Sequence, residues 1–533
     1  MEENQSELFV GFDLSTQQLK AVIIDRNGIV VHRFSINFSR DLSKYGTVDG
    51  VLIAEDGRTV NAPVHMWIEA VDMILEKISK NVDMSRIRCL SGCAQQHGTV
   101  YWANGSGELL SSLDFSKSFD EQLKKCFSRD VCPIWMDSST FEQCQKLENN
   151  LRGPEILTQI TGSRANLRFS GPQIMKIFEN EPNVWKSTER ISLISSFLCS
   201  LFIGKYANID YTDGSGMNVM NIKNQRWDEQ CLKSICGSQN IVDLQQKLGD
   251  ICNPSIALGT ISRYLVDRYG FSSDCNVLPF IGDNPASLAA LSLSPNDIAI
   301  SLGTSDTLFF TSSQYKPCTD AHVFSHFNGS ANAFMGLVCF KNGSLTRERI
   351  RTKTGLSWND FGKILDETPV GNKGLIGIFF DSDEIAPRCR RGVYYFDEEN
   401  CQQSEITIKE KARAVMESQC LWKRFYAERM GWSRARQGRL MLTGGGSINS
   451  HMQQILADVF GMPVYTINEI DSAALGGAMR ARYDFCAPKM SYDEYNRQEL
   501  SRVAEPIELN QEIFDKIFDR YADVVNKLRE FSY

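Results

Sequence analysis

Several short stretches of this 533-residue sequence carry residue types that could do chemistry together. In Asp13-Leu14-Ser15-Thr16-Gln17 a carboxylate ends an apolar run and leads into small hydroxyl residues, with Lys20 just beyond. A turn of this composition exposes backbone N–H groups that attract phosphate oxygens. The Asp13 carboxylate can hold Mg²⁺, directly or through water. Gly303-Thr304-Ser305-Asp306 repeats the pattern in the second half of the chain, glycine allowing close approach of the backbone and Thr304 offering a hydroxyl. In Thr443-Gly444-Gly445-Gly446-Ser447 three glycines leave bare backbone where an adenine or a ribose can lie flat, and the helix start that follows, near Asn449, favours anions. In Phe280–Ser287, Asp283 follows Gly282 directly and precedes Asn284; a carboxylate so delivered can take the proton of an attacking hydroxyl.

Gly92–Gly98 presents Gln95, Gln96 and His97 after a strand, a set of amide and imidazole groups suited to a polyol. Asp137, within Trp135–Ser139, and Arg168, within Arg164–Phe169, add an acid and a base, and Tyr211–Gly216 is another polar, glycine-rich loop. Each stretch alone also reads as an ordinary turn or helix cap, the plain-turn reading being favoured for Tyr211–Gly216. Two hydroxyl turns at matching points of two halves, however, form a pair that can clamp a phosphate chain from both sides. Neither the GxGxxG dinucleotide fingerprint nor a P-loop ending in GK[ST] is present, which disfavours a Rossmann dehydrogenase and a P-loop ATPase.

The elements that must position these residues are visible as periodicity. Leu8–Asp13, Leu19–Asp25 and Ile29–Phe34 read as an antiparallel meander with a turn at Asn27-Gly28. Met66–Ile78 has helical spacing of apolar residues, and Arg86–Ala94 is a further strand. The echo consists of strands at Asp297–Leu302 and Thr307–Thr311, then a β-α-β unit from Arg439 to Ile467 with a glycine corner. Ala473–Ala481 is rich in small residues, which lets a helix lie close to a neighbour. Ile513–Phe531 is an amphipathic helix. Related plans in the two halves predict two lobes, residues 1–288 and 289–533.

The net charge of −8 and the lack of a dense Lys/Arg run argue against nucleic-acid binding. The greasiest stretch, Ile191–Gly204, is broken by serines and too short to span a bilayer, so a buried helix is expected there. The N-terminus has no signal pattern. Sixteen cysteines without a CxxC pair predict reduced, buried thiols and a cytoplasmic protein.

Taken in order, GFDLSTQQLK (Gly11–Lys20), SGCAQQHG (Ser91–Gly98), WMDSST (Trp135–Thr140), DYTDGSGMN (Asp210–Asn218), GDNPAS (Gly282–Ser287), SLGTSDT (Ser301–Thr307), CFKNGS (Cys339–Ser344) and TGGGSIN (Thr443–Asn449) resemble the FGGY family of carbohydrate kinases. The resemblance spans nearly the whole chain. It implies an α/β, actin-like (ribonuclease H-like) fold of two related lobes with a catalytic cleft between them, the first lobe binding sugar and the second nucleotide. It implies ATP and Mg²⁺ as cofactors and a ketopentose, D-xylulose, as the small-molecule acceptor, in a monomer or homodimer with no nucleic-acid or membrane partner. By motif, Asp283 matches the catalytic base and Asp13 the Mg²⁺-organising carboxylate, with Thr16 and Gln17 near the phosphates. His97, Arg168, Asp283 and Asn284 match sugar-contacting positions, which Gln96 and Asp137 adjoin. Trp358, Gly445, Gly446 and Asn449 match positions around the nucleotide, beside Gly303, Thr304 and Gly444. The family's Gly-Glu-Arg-x-Pro stretch is replaced here by Asp383-Glu384-Ile385-Ala386-Pro387, so no role is assigned to it. The same family plan also admits ribulose, gluconate or glycerol as acceptor, or a non-catalytic sugar sensor; an actin- or chaperone-like ATPase fits the loop around His97 less well.

Overall fold

The computed structural model describes residues 7–434, 438–466, 471–497 and 500–529. The described residues form two compact units, one drawn from residues 1–292, 324–333 and 470–497 and the other from residues 293–323, 334–469 and 498–533.

The first unit is built on a sheet whose centre is β1 (Leu8–Leu14). On one side β1 pairs antiparallel with β2 (Gln18–Asp25), which pairs antiparallel with β3 (Val30–Asn37). Every residue of β1 is buried, as a central strand covered on both faces requires. One cover is α1 (Val64–Ser79), which buries Met66, Trp67, Ala70, Ile74 and Ile78 along its inner side. On its other edge β1 pairs in parallel with β4 (Ile87–Ala94), with Asp13 opposite Cys93. The short strand Ile281–Gly282 runs parallel to the end of β4 and passes directly into α2 (Asp283–Leu291). Asp283 is therefore the first residue of a helix, its cap position being taken by Gly282.

The helix Ser472–Cys486 closes the opposite face. Its small residues are a steric necessity: a Cβ on Gly476 would stand 1.9 Å from the Ala286 carbonyl oxygen of α2, and a Cβ on Gly11 of β1 1.9 Å from that of Ala474. The sequence pattern predicted this close approach.

The apolar run at Ile191–Gly204 differs from the expected single helix. Its first residues belong to the strand Thr188–Leu193, which pairs antiparallel with Thr99–Ala103; the helix starts at Ile194 and ends at Ile203, all ten residues buried. The edge strand Thr99–Ala103 offers ladder partners that a helix beginning earlier would leave unmade. Among the described residues no helix is long and apolar enough to cross a membrane.

The second unit repeats the plan. β5 (Ile298–Leu302) pairs antiparallel with β6 (Asp306–Ser312), which pairs antiparallel with β7 (Phe334–Phe340). The helices α3 (Trp358–Glu367) and α4 (Ile408–Arg429) follow. β8 (Leu440–Thr443) then lies parallel to β5, as β4 does to β1, and continues through α5 (Ser450–Phe460) to β9 (Val464–Thr466). The C-terminal helix covers Glu508–Arg529 and buries Phe514, Ile517, Tyr521, Val524 and Leu528. In both units a first strand is flanked by its own hairpin on one side and a parallel strand on the other. The loops after the first and fourth strands are those that carry the candidate residues.

Candidate active site

In the first unit β1 delivers Asp13 to the sheet's carboxyl end, where it is buried. Burial raises its carboxyl to about 6, against the opposing pull of Lys20. The contact made by its Oδ1 is weak, a thiol from Cys93 at 3.6 Å. Asp283, half-buried at the start of α2, has its carboxyl raised to about 7, first by desolvation and then by the Asp13 charge. The Asn284 N–H and side-chain amide donate to Asp283 Oδ1 at 2.8 and 3.1 Å.

From Asn284 a network reaches the loop after β4. Asn284 Nδ2 donates to Gln96 Oε1 at 2.9 Å. Gln96 Nε2 donates to Asp213 Oδ1 at 3.4 Å. The next residue, His97, sits at φ +75° with Nδ1 2.8 Å from the Gly216 carbonyl; a carbonyl only accepts, so Nδ1 carries the proton. Its ring stacks on Phe169 at 4.4 Å between centroids, and its carbonyl accepts from Ser170 Oγ at 2.7 Å.

A second chain of contacts starts from the turn after β1. Thr16 Oγ1 accepts from Trp135 Nε1 at 2.9 Å and donates to Gln95 Oε1 at 3.4 Å. The guanidinium of Arg168 lies over the Trp135 ring, 5.6 Å from its centroid. Gln17, in the same turn, is exposed. Asp137 is more deeply committed: its two oxygens accept from the Val60 and Ser139 N–H groups, Ser139 Oγ and Gln173 Nε2, at 2.6–2.9 Å. With these bonds made, Asp137 braces the loop that carries Trp135.

The charge balance of this site suits a cation. Among the described residues no lysine or arginine forms an ion pair with Asp13 or Asp283, and both carboxyls are raised. Nor do the described residues contain a group of three or more His, Cys, Asp or Glu placed to hold a metal ion. The set fits an ion such as Mg²⁺ that draws its remaining ligands from phosphate oxygens and water.

In the second unit a cavity of about 710 Å³ gathers Gly303 and Thr304 after β5, Trp358 at the start of α3, and Gly445, Gly446 and Asn449 after β8. Asn449 caps α5, its Oδ1 accepting from Met452 N–H at 2.9 Å. Gly444 does not line the cavity but shapes it: it sits at φ +81°, where a Cβ would meet the Leu302 backbone at 2.8 Å. Bare backbone from Gly445-Gly446 and the half-open Trp358 indole are surfaces on which a purine can stack, and the volume suits a nucleotide. The sequence reading missed Ile448, which is 84% exposed beside this glycine corner, and Ser344 and Arg347 on the same wall. The available signal was an isoleucine just past the three glycines and ahead of the Asn449 cap, at the strand–helix corner itself.

Two further acids have structural roles. Asp306 is buried between Arg347 at 2.7 Å and Lys423 at 2.9 Å, which pull its carboxyl below the usual range against the cost of burial. Glu384, in the stretch that departs from the family pattern, is buried and accepts from the Lys341 and Asn342 N–H groups at 3.0 and 3.1 Å.

Residues 8–290 match the N-terminal domain of the FGGY family of carbohydrate kinases, and residues 298–485 match its C-terminal domain. The chain is 42% identical over 524 residues to a xylulose kinase of Rattus norvegicus, covering 97% of this chain and 96% of the rat protein. It is 45% identical over 474 residues to a xylulose kinase of Mus musculus, covering 89% of this chain and 85% of the mouse protein. Among solved structures it is similar to a xyloylose kinase from Brucella ovis, with a TM-score of 0.77, 18% identity, and coverage of 98% of this chain and 100% of that one. That likeness shows the fold, which is the actin-like, two-lobed α/β fold. With both domains matched and relatives aligned along nearly its full length, the chain belongs to the FGGY family of carbohydrate kinases.

Proposed function

We propose that this protein phosphorylates D-xylulose to D-xylulose 5-phosphate with MgATP. The observation that carries the reading is Asp283: a raised carboxyl at a helix start, joined through Asn284 and Gln96 to the loop that bears His97. The full-length likeness to proteins named xylulose kinases supports the choice of sugar. His97, Arg168, Gln96 and Asn284 bind and orient the pentulose, and the terminal hydroxyl donates its proton to Asp283. A base near neutrality suits that task, because it is largely ionised at physiological pH yet basic enough to accept the proton. Asp13 would hold Mg²⁺, which when bound would supply charge neutralisation at the phosphates. Thr16 and Gln17 in the first unit, and Gly303 and Thr304 in the second, each offer N–H and hydroxyl donors suited to phosphate oxygens. Trp358, Gly445, Gly446 and Asn449 hold adenine and ribose, and Gly444 shapes the turn that presents them. Phosphoryl transfer depends on positioning and charge stabilisation more than on covalent chemistry, and these residues supply both. A cytoplasmic location and a monomeric or homodimeric state belong to the same reading; the sixteen free cysteines, of which Cys401 alone is exposed, support a reducing compartment.

The test is ADP release by the purified protein with a panel of acceptors. D-Xylulose at the highest kcat/KM is the expected result. A preference for ribulose, gluconate or glycerol would move the protein elsewhere in the family, and ATP hydrolysis that no sugar stimulates would remove the kinase reading.

A further inference from the structure

We infer that the loop Asp210–Gly216, through the Asp213 carboxyl and the Gly216 carbonyl, is the positioning element that fixes how Gln96, His97 and Asn284 face the sugar. The inference rests on the proposed sugar site and adds residues that touch no substrate themselves. The loop is a short helix, Tyr211–Gly214, capped by Asp210, whose Oδ1 accepts from Thr212 N–H at 2.7 Å. Asp213 and Ser195 are both buried, and Ser195 Oγ bonds Asp213 Oδ2. Asp213 Oδ1 accepts from Gln96 Nε2, which turns Gln96 Oε1 toward Asn284. Asn284 must then present Nδ2 to Gln96 and to Asp283, leaving its Oδ1 as an acceptor.

The other end of the loop acts on the adjacent residue. Gly216 accepts from His97 Nδ1, so the neutral ring keeps Nε2 as its accepting nitrogen. A Cβ at Gly216 would stand 2.9 Å from His97 Cε1 and Nδ1, so a side chain here would push the ring off its position. One loop thus sets the amide of Gln96 and the tautomer of His97, two neighbouring side chains that its own residues approach from behind. Burial and the nearby Asp210 hold the Asp213 carboxyl well above the ordinary carboxylate range. A protonated carboxyl accepts on one oxygen and donates on the other, which asparagine at 213 would reproduce.

The experiment compares Asp213→Asn, Asp213→Leu, Gln96→Leu and the double variant Gln96→Leu/Asp213→Leu in the full-length protein, with sugar and ATP kinetics measured separately. Asp213→Leu is expected to raise KM for the sugar roughly 10- to 100-fold while leaving KM for ATP unchanged. Asp213→Asn is expected within about threefold of the starting protein, and the double variant no worse than Gln96→Leu alone, as residues of one chain of bonds behave. A normal sugar KM in Asp213→Leu, an Asn variant as impaired as the Leu variant, or additive losses would each overturn the inference. Should Asp213→Leu not fold, Ser195→Ala takes its place in the cycle with the same expectations. A protein that prefers another acceptor would change the proposed substrate without touching this test, which is then run on that acceptor. If no sugar were turned over, crystals of Asp213→Leu or Ser195→Ala would still decide it: Gln96 turned from its present orientation would support the inference, and an unchanged Gln96 would overturn it.

Discussion

Asp283 titrates in the field of Asp13: the Asp13 charge adds to burial in holding the Asp283 carboxyl up at about 7, and no lysine or arginine among the described residues pairs with either group. A base must be ionised to accept a proton. On the acid side of about pH 7, kcat/KM for the sugar is therefore expected to fall toward tenfold per pH unit. Positive charge bound at Asp13 favours the ionised form of Asp283, so this fall should begin at lower pH when MgATP is saturating than when it is scarce. Rate profiles between pH 5.5 and 8.5 check both statements; a flat kcat/KM across that range would deny Asp283 its role.

Removal of the base itself gives a different signature. Asp283→Ala is expected to lower kcat by roughly 10²–10⁴-fold. The nucleotide-sized cavity is lined entirely by residues of the second unit, so ATP affinity by titration calorimetry should stay within about threefold. Retained turnover would exclude Asp283 as the base.

The same carboxyls make a stability prediction of definite sign. Asp13 moves from 3.8 when unfolded to about 6 when folded, so the native state favours its protonated form. The penalty for ionising it is absent below about pH 4, grows as pH rises, and is complete above pH 6. Asp13→Asn removes the penalty along with the function. The variant should be more stable than the starting protein at pH 8 by roughly 1–3 kcal/mol, or a few degrees in Tm, and the gap should close by pH 4. A variant less stable at pH 8 would mean that Asp13 is held by contacts its burial does not suggest.

Much of this arrangement was legible because it is local. The hairpins after Asp13 and Gly303 announce themselves by apolar strands meeting hydroxyl turns, and the glycine corner by three glycines between a strand and a helix. The small residues of Ala473–Ala481 were legible as a packing surface, although sequence spacing does not say that β1 and α2 are what they meet. Other facts depend on partners far along the chain. Asp137 looks like a ligand until Val60 and Gln173 are seen to take its oxygens. Ser195 lies in a greasy run and shows its purpose only where the fold brings it to Asp213. Ile191 was assigned to a helix because its edge-strand partner, Tyr101, is ninety residues earlier in the chain.

The packing of Gly476 on α2 links stability to catalysis. Its Cβ would meet the Ala286 carbonyl oxygen at 1.9 Å, and that atom is backbone, which cannot swing aside as a flexible side chain could. Gly476→Ala must separate the two helices, and α2 begins with Asp283. The variant is expected to lose about 1–3 kcal/mol or more, read as a lower Tm, and to lose kcat with it. An unchanged Tm would show that the helices have room to part.

Neighbouring glycines at the nucleotide cavity offer a sharper contrast. A Cβ on Gly445 would have no atom within 4 Å, whereas one on Gly446 would meet Leu302 Cβ at 2.9 Å. Both residues line the cavity. Gly445→Val should therefore fold with nearly unchanged Tm while raising KM for ATP at least tenfold, since the added methyls enter space that the nucleotide would use. Gly446→Val should lose stability as well, because its branch is driven into the end of β5. Sugar affinity, set in the first unit, should be the same in both. If Gly445→Val bound ATP as tightly as the starting protein, the base and ribose would have to lie elsewhere than along this glycine corner, and Trp358 would lose its place in the site with it.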